Sequence, residues 1–328
     1  MKFKNITLAV FLLSSSVYPQ LFFSENPLAH TYSIVARDPV TGEMGVAVQS
    51  HWFSVGSIVS WAEAGVGAIA TQSLVNISFG PRGLELLKQG MNAQEVLDKL
   101  ISEDEGRDYR QLAIIDTKGN VASYTGEKCI PDAGHISGYN FSVQANLMLN
   151  DKVWPAMDKA FIESEGPLAE RMIEALAAAQ NAGGDIRGQQ SASILIVRGE
   201  STGKVWEDRL IDLRVEDHPD PVNELKRLLK VHRAYEHMNN GDLAIEKGDM
   251  ELAMREYSDA EEMFPENLEM KYWHAVTLAG SGKVDESLSL FKEVFMKDEN
   301  WRTLTPRLVP IGLLTVSEED LNKIISLK

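Results

Sequence analysis

Cysteine is nearly missing from this sequence: Cys129 is the only one in 328 residues. That excludes an intrachain disulfide framework and a zinc site built from cysteines. Positive charge is also scarce. Forty-eight acidic against 32 basic side chains leave a formal net charge of −16. Such a chain is poorly suited to nucleic acid or to an anionic membrane surface, and the plain consequence of the charge is solubility. Beyond the first twenty residues no segment is long and apolar enough to span a bilayer. The small-residue stretch "GVGAIA" lacks the lysine of a phosphate loop and the spacing of a dinucleotide fingerprint. His51, His135 and a carboxylate are metal-ligand types, but no H-E-x-x-H or comparable cluster groups them. No metal and no cofactor is therefore expected.

Apolar residues make up 44% of the chain, and its length suits two domains. It opens with "MKFKNITLAVFLLSSSVYPQ". Lys2 and Lys4 precede the short apolar run Ile6 to Leu13, and Ser14 to Ser16 supply small residues suited to cleavage. That is the anatomy of a secretory signal, with an uncleaved anchor as its rival. Residues 1–29 are read as a leader, and the protein as exported, periplasmic or secreted.

Two regions follow. Residues 30–216 alternate strand pairs with helices. "TYSIVARDPVTGEMGVAVQS" is a hairpin turning at "DPVTGE". "GSIVSWAEAGVGAIATQS" gives two short apolar strands. Leu84, Leu87, Val96, Leu97 and Leu100 fall at helical spacing, broken at Gly90. "RQLAIIDTKGNVASYTG" is a second hairpin, residues 154–185 hold two helices, and "SASILIVR" pairs with "VWEDRLIDLRV". Because strands do not alternate one-to-one with helices, antiparallel sheets with helices outside are expected, an α+β fold. Pro219 and Pro221 mark the start of the second region, 217–328. There a shift of 34 residues maps Gly248 on Gly282, Ala253 on Ser287 and Tyr257 on Phe291. That is the tetratricopeptide period, so a small all-α domain of such repeats is expected, with a concave face for a protein partner or a second copy.

One residue carries a particular chemical opportunity. Thr31 opens the first strand just behind the leader. A threonine at a mature N-terminus supplies its own base, because its α-amine, with a reference pKa of about 7.7–8.0, lies beside its hydroxyl. Such a site also needs oxyanion donors and a polar group to orient the amine. Ser50 and His51 end the strand that returns to Thr31. Gln72 and Asn76 end another strand, and "GGDIRGQQS" offers Asp185, Arg187 and Gln190 before a core strand. Arg187 could bind a substrate carboxylate through its planar fork or simply pair with Asp185. Cys129 and His135, six residues apart, are a rival nucleophile pair.

"TYSIVARDPVTGEMGVAVQS", "AGVGAIATQS", "NISFGPRGLELL", "YTGEKC", "AGH", "QANLML" and "GGDIRGQQSASILIV" occur in this order over about residues 31–225. Together they resemble the family catalogued as domain of unknown function 1028. That resemblance implies a four-layer αββα sandwich of the N-terminal nucleophile (Ntn) hydrolase type and hydrolysis of an amide bond in a small amide or peptide. It implies Thr31 as nucleophile; Asp185 is then the candidate in support, and His51, Gln72, Asn76, Arg187 and Gln190 are candidates around the substrate from their own positions. In typical members the start methionine directly precedes the matching threonine. Here His30 and a leader stand before it, so exposure of Thr31 requires a cut at His30–Thr31. The alternative is a catalytically silent Ntn-fold binding protein whose repeats hold a peptide or protein.

Overall fold

In a computed structural model the described residues are 28–328, with side chains described from His30 onward. The signal segment Lys2 to Ser16 lies outside them. The chain divides into two units between Val222 and Asn223.

The first unit holds two antiparallel sheets. Its strands are β1 (Leu28–Ala29), β2 (Thr31–Arg37), β3 (Met44–Ser50), β4 (Ser60–Glu63), β5 (Gly67–Leu74), β6 (Arg110–Asp116), β7 (Val121–Thr125), β8 (Gly134–Gly138), β9 (Phe141–Ala145), β10 (Ser191–Val197) and β11 (Arg209–Val215). The helices between them are the single turn α1 (Gly56–Val59), then α2 (Phe79–Lys88), α3 (Ala93–Ser102), α4 (Val153–Glu163), α5 (Leu168–Asn181) and the single turn α6 (Val205–Asp208). One sheet runs β1-β5-β6-β7 with β4 also on β5; the other runs β11-β10-β3-β2-β9-β8. Leu28 and Ala29 pair with Leu74 and Ser73 of β5. The chain then passes to the other sheet at His30.

Period-two alternation decides what each face touches. On β5 and β6, Ile69, Leu112 and Ile114 turn outward and pack with Phe79, Leu84 and Leu87 of α2 and Val96, Leu97 and Leu100 of α3. Ala68, Ala70, Ala113 and Ile115 turn the other way and meet Val35, Val46 and Val48 of the second sheet. Helices α4 and α5 pack against β9, β2 and β3. The alanines facing inward let the sheets approach closely. Towards the Thr31 end the interior becomes polar. Ser33, Gln72, Gln111 and Gln144 are all fully buried there.

Helix ends obey local chemistry. Asn92 caps α3 by accepting from the Glu95 N–H at 3.1 Å, and the Glu95 carboxylate returns the bond to the Asn92 N–H at 2.8 Å. Gly90, at φ +94°, makes the break between α2 and α3 that the sequence marks.

The second unit is built of α7 (Pro221–Glu246), which begins just before the division, and α8 (Met250–Met263), α9 (Leu268–Gly280), α10 (Val284–Lys297), α11 (Glu299–Leu308) and α12 (Glu318–Ile325). Helix α10 starts 34 residues after α8, Val284 against Met250. Ala253 and Tyr257 of α8 are buried, as are Ser287 and Phe291 of α10, their counterparts under that shift. Gly248 and Gly282, at φ +75° and +80°, turn the chain at matching points. Ser317 caps α12 by accepting from the Asp320 N–H at 3.0 Å.

The close approach of β3 and β10 gives a direct test of this packing. A methyl on Gly45 would lie 2.2 Å from the Leu195 carbonyl oxygen and 2.5 Å from Ile196 Cδ1. Gly45→Ala should therefore destabilise the first unit by about 1–3 kcal/mol, the range for overpacking a tight site. Urea unfolding followed by tryptophan fluorescence measures it, and a variant within 0.5 kcal/mol of wild type contradicts the register described for β3 and β10.

Candidate active site

Thr31 is a β-branched residue that opens β2, and it is fully buried. Antiparallel pairing sets Ser50 directly opposite it. Three donors meet the Thr31 carbonyl oxygen: the Asn146 N–H at 3.1 Å, Asn146 Nδ2 at 3.3 Å and Gln72 Nε2 at 3.2 Å. The preceding carbonyl, that of His30, accepts from Ser50 Oγ at 2.5 Å and from Arg187 Nη2 at 2.9 Å. The buried His30 ring sits with Nδ1 2.9 Å from Asn146 Oδ1. A peptide bond on the N-terminal side of a threonine hydroxyl is thus gripped on both of its flanking carbonyls.

Arg187 reaches His30 because its loop is pinned on two sides. Gly183 and Gly184, at φ +126° and +59°, turn the chain out of α5. The loop then bonds to the segment after β9, through the Leu149 N–H to Gly184 O at 2.9 Å and the Ile186 N–H to Leu147 O at 3.2 Å. On the other side the Gln190 N–H donates to Ser50 O at 3.2 Å. Asp185 is almost fully buried and accepts from Arg187 Nη2 at 2.6 Å, Arg187 Nε at 3.0 Å, the Arg187 N–H at 2.9 Å and the His51 N–H at 3.2 Å. A buried carboxylate needs such company. The pair holds the guanidinium fork in plane and leaves one of its N–H groups on the His30 carbonyl. Arg187 pairs with Asp185 and, at the same time, polarises a carbonyl. Burial, the largest influence, holds the His30 imidazole below its usual pKa. The Asn146 hydrogen bond pulls it up, Arg187 pushes it down and Asp185 pulls it up.

The other candidates distribute themselves as follows. Gln72 lies between the sheets, accepting from Ser33 Oγ at 2.6 Å and donating to Gln111 Oε1 at 2.7 Å besides its bond to Thr31. The His51 ring is exposed, with Nδ1 3.3 Å from Gln189 O, on the outer side of the Asp185 loop. The side chain of Gln190 donates to Asp217 at 3.1 Å, so only its backbone serves the site. Asn76 is occupied in the turn before α2, accepting from the Ser78 N–H at 3.2 Å and from Ser78 Oγ at 2.7 Å. Cys129 and His135 are bonded to different partners. The Cys129 thiol donates to Arg110 O at 3.4 Å and burial pushes its pKa up, whereas His135 Nδ1 lies 2.8 Å from Thr125 Oγ1. Among the described residues no group of three or more His, Cys, Asp or Glu side chains could hold a metal ion, and no helix is long and apolar enough to cross a membrane.

Two residues not named as candidates from the sequence join this group, Gln111 and Asn146, the latter inside the family block "QANLML". Gln111 Oε1 accepts from Gln72 Nε2 and, at 2.9 Å, from Asn146 Nδ2. That block is the signal that could have found Asn146; the only trace of Gln111 is an amide at an inward position of a strand, where an apolar residue is the usual occupant.

The chain belongs to the family of unknown function DUF1028, whose model matches residues 31–225. A crystal structure of a DUF1028 protein from Silicibacter pomeroyi is similar, at 30% identity and a TM-score of 0.56 over 61% of this chain and 85% of that one. The Anbu (ancestral beta-subunit) protein from Yersinia bercovieri aligns over 60% of this chain and 92% of its own, at 14% identity and a TM-score of 0.31. No curated protein is recognisably similar.

The depressed His30 pKa has a sign that can be measured. Between the folded value and the reference of about 6.5, the unfolded chain binds a proton that the folded one refuses. Stability contributed by neutral His30 is therefore present above about pH 6.5 and lost as pH falls below it. In a Thr31→Ala background, which keeps residues 30 and 31 joined under the cleavage reading, His30→Gln should remove this component. Urea unfolding at pH 7.5 and 5.5 should show a smaller acid loss for the His30→Gln chain. Parallel losses in the two chains would contradict the burial of His30.

Proposed function

We propose that this protein is an exported Ntn-type hydrolase that cleaves an amide bond, with Thr31 as nucleophile once His30–Thr31 has been cut. The observation that carries the reading is the pair of donors on the His30 carbonyl oxygen, Ser50 Oγ and Arg187 Nη2. Donors aimed at an acyl oxygen are what an amide cleavage needs when that oxygen becomes negative. The two sheets with helices on their outer sides are compatible with a four-layer αββα sandwich, and the family resemblance points the same way.

The maturation step follows from connectivity. The Thr31 hydroxyl adds to the His30 carbonyl carbon, and its proton passes to the Thr31 nitrogen. The C–N bond breaks as an ester forms between His30 and Thr31 Oγ1. Water then hydrolyses that ester, releasing the leader with a carboxylate on His30 and leaving a free hydroxyl beside a free α-amine. In turnover the amine accepts the hydroxyl proton. Ser50 and Arg187 stabilise the oxyanion in both reactions, and Asp185 positions Arg187. Gln72 and Asn146 hold the Thr31 carbonyl and with it the start of β2. The helical unit, with its 34-residue offset, is assigned to a tetratricopeptide-type contact with a protein partner or a second copy.

Intact mass of the purified full chain is the test. Wild type should yield a species beginning at Thr31. Thr31→Ala should keep His30 and the leader residues before it. Arg187→Lys retains the charge but loses the fork, so cleavage should slow by about 10- to 100-fold, in keeping with about 1–3 kcal/mol for a charge-assisted bond. The matured protein should hydrolyse members of a panel of acyl-amides and short peptides. A wild-type chain that keeps residues 30 and 31 joined under all conditions would favour the silent binding protein instead.

A further inference from the structure

We infer that the space occupied by the His30 side chain is the acyl-residue subsite of the matured protein, and that Asn146 makes it select a substrate residue with a neutral, planar N–H donor, histidine above all. The inference rests on the hydrolase reading and names its substrate class. Hydrolysis of a substrate would join its acyl group to Thr31 Oγ1 by an ester. That ester has the same connectivity as the one formed between His30 and Thr31 during maturation. The residue that supplies the acyl carbonyl therefore stands where His30 stands, with its carbonyl oxygen on Ser50 and Arg187 and its side chain towards Asn146.

The orientation of Asn146 decides what that side chain must be. Its Nδ2 donates to Gln111 Oε1 at 2.9 Å and to Thr31 O at 3.3 Å, and both of these atoms only accept. The amide is thus fixed with Oδ1 turned to the His30 ring, 2.9 Å away. An amide oxygen has no proton, so Nδ1 of His30 carries the hydrogen. His30 as a whole is only 3% exposed, so a side chain without an N–H would leave Oδ1 buried and unpaired. A permanent cation is disfavoured for a second reason. The subsite is enclosed, and the Arg187 guanidinium lies within hydrogen-bond distance of the adjoining carbonyl. The group that fits is neutral, flat and able to donate: imidazole first, a carboxamide second. A site built to receive one hydrogen bond rejects analogues that cannot supply it.

Two experiments on the full chain test this. In the first, cleavage at 30–31 is timed by intact mass for wild type, His30→Ala and His30→Asn. His30→Ala should be at least tenfold slower, and His30→Asn should recover part of the rate because it restores an N–H donor. In the second, the chain matured by its own cleavage is assayed on the 4-nitroanilides of N-acetyl-histidine, N-acetyl-alanine and N-acetyl-phenylalanine. Histidine should be preferred at least tenfold in kcat/KM. Asn146→Leu and the smaller Asn146→Ala both remove the acceptor oxygen, so each should bring the ratio near one, the alanine variant serving if the leucine variant does not fold; a folded variant that keeps the histidine preference would overturn the subsite. Equal cleavage of wild type and His30→Ala would overturn the subsite while leaving the hydrolase reading intact. So would a matured protein that prefers alanine or phenylalanine, or that turns over none of the three. A wild-type chain that never separates His30 from Thr31 would overturn both.

Discussion

Burying four amide side chains between two sheets is the constraint on which the rest depends. Gln72, Gln111, Gln144 and Asn146 are all fully enclosed. An enclosed amide without partners costs about 1–3 kcal/mol, so each must be satisfied by its neighbours. Pairing fixes how. Gln72 faces Gln111 across β5 and β6, and Ser33 faces Gln144 across β2 and β9. Within its sheet Gln144 Nε2 donates to Ser33 Oγ, and Ser33 Oγ then donates across to Gln72 Oε1 of the other sheet, each at 2.6 Å, which closes the network. A slip of one residue would send the polar group to the opposite face, bringing Val143 or Ala145 in for Gln144 and the shorter Thr71 or Ser73 in for Gln72. The network therefore acts as a register lock at the end where Thr31 lies.

The interior is graded from one end to the other. Alanine and valine fill the half near Val35, Ala70 and Ala113, while hydroxyls and amides fill the half near Ser33 and Thr31. The apolar half holds the sheets together without regard to direction. The polar half positions atoms, because hydrogen bonds demand angles as well as distances. Asp185 extends this logic to charge. Its carboxylate is satisfied by four N–H groups from two chain segments, so the guanidinium beside it has almost no freedom to turn. Breaking such a pair by removing one partner is costly, about 3–5 kcal/mol, which makes the arrangement rigid as well as polar.

Much of this was legible in the sequence, for identifiable reasons. Hairpins around "DPVTGE" and "DTKGN" carry turn residues between β-branched runs, and the structure turns there. Gly90 and the pair Gly183–Gly184 mark helix ends because only glycine enters left-handed backbone freely. The return of Ser50 to Thr31 follows from hairpin register alone. Other elements left no such trace. The strands β8 and β9 lie in "AGHISGYNFSVQA", where glycine, serine and glutamine dilute the apolar pattern, and the single turns α1 and α6 are too short for a period. Gln111 was unreadable, and Asn146 was marked only by the block "QANLML" and not by a role, because their roles come from partners 35 or more residues away, Asn146 in one case and His30 and Thr31 in the other. Asn76 and Gln72 looked alike as strand-end amides, yet one serves a local turn and the other spans the sheets. Only the pairing of the strands separates them.

The short strand β1 bears on how long the leader would stay after the bond at residue 30 is severed. Its ladder contains two residue pairs, Leu28 with Leu74 and Ala29 with Ser73. While the chain is intact, the covalent link keeps this segment at an effective concentration of order millimolar or higher, so two pairs suffice to hold it. Under the proposed cut, this ladder and the His30 contacts with Ser50, Arg187 and Asn146 would have to hold a separate peptide, against an association cost of at least about 4 kcal/mol that the covalent link spares it. The proposed scission would thus weaken the hold on Leu28 and Ala29 at the edge of β5 without altering a single contact there.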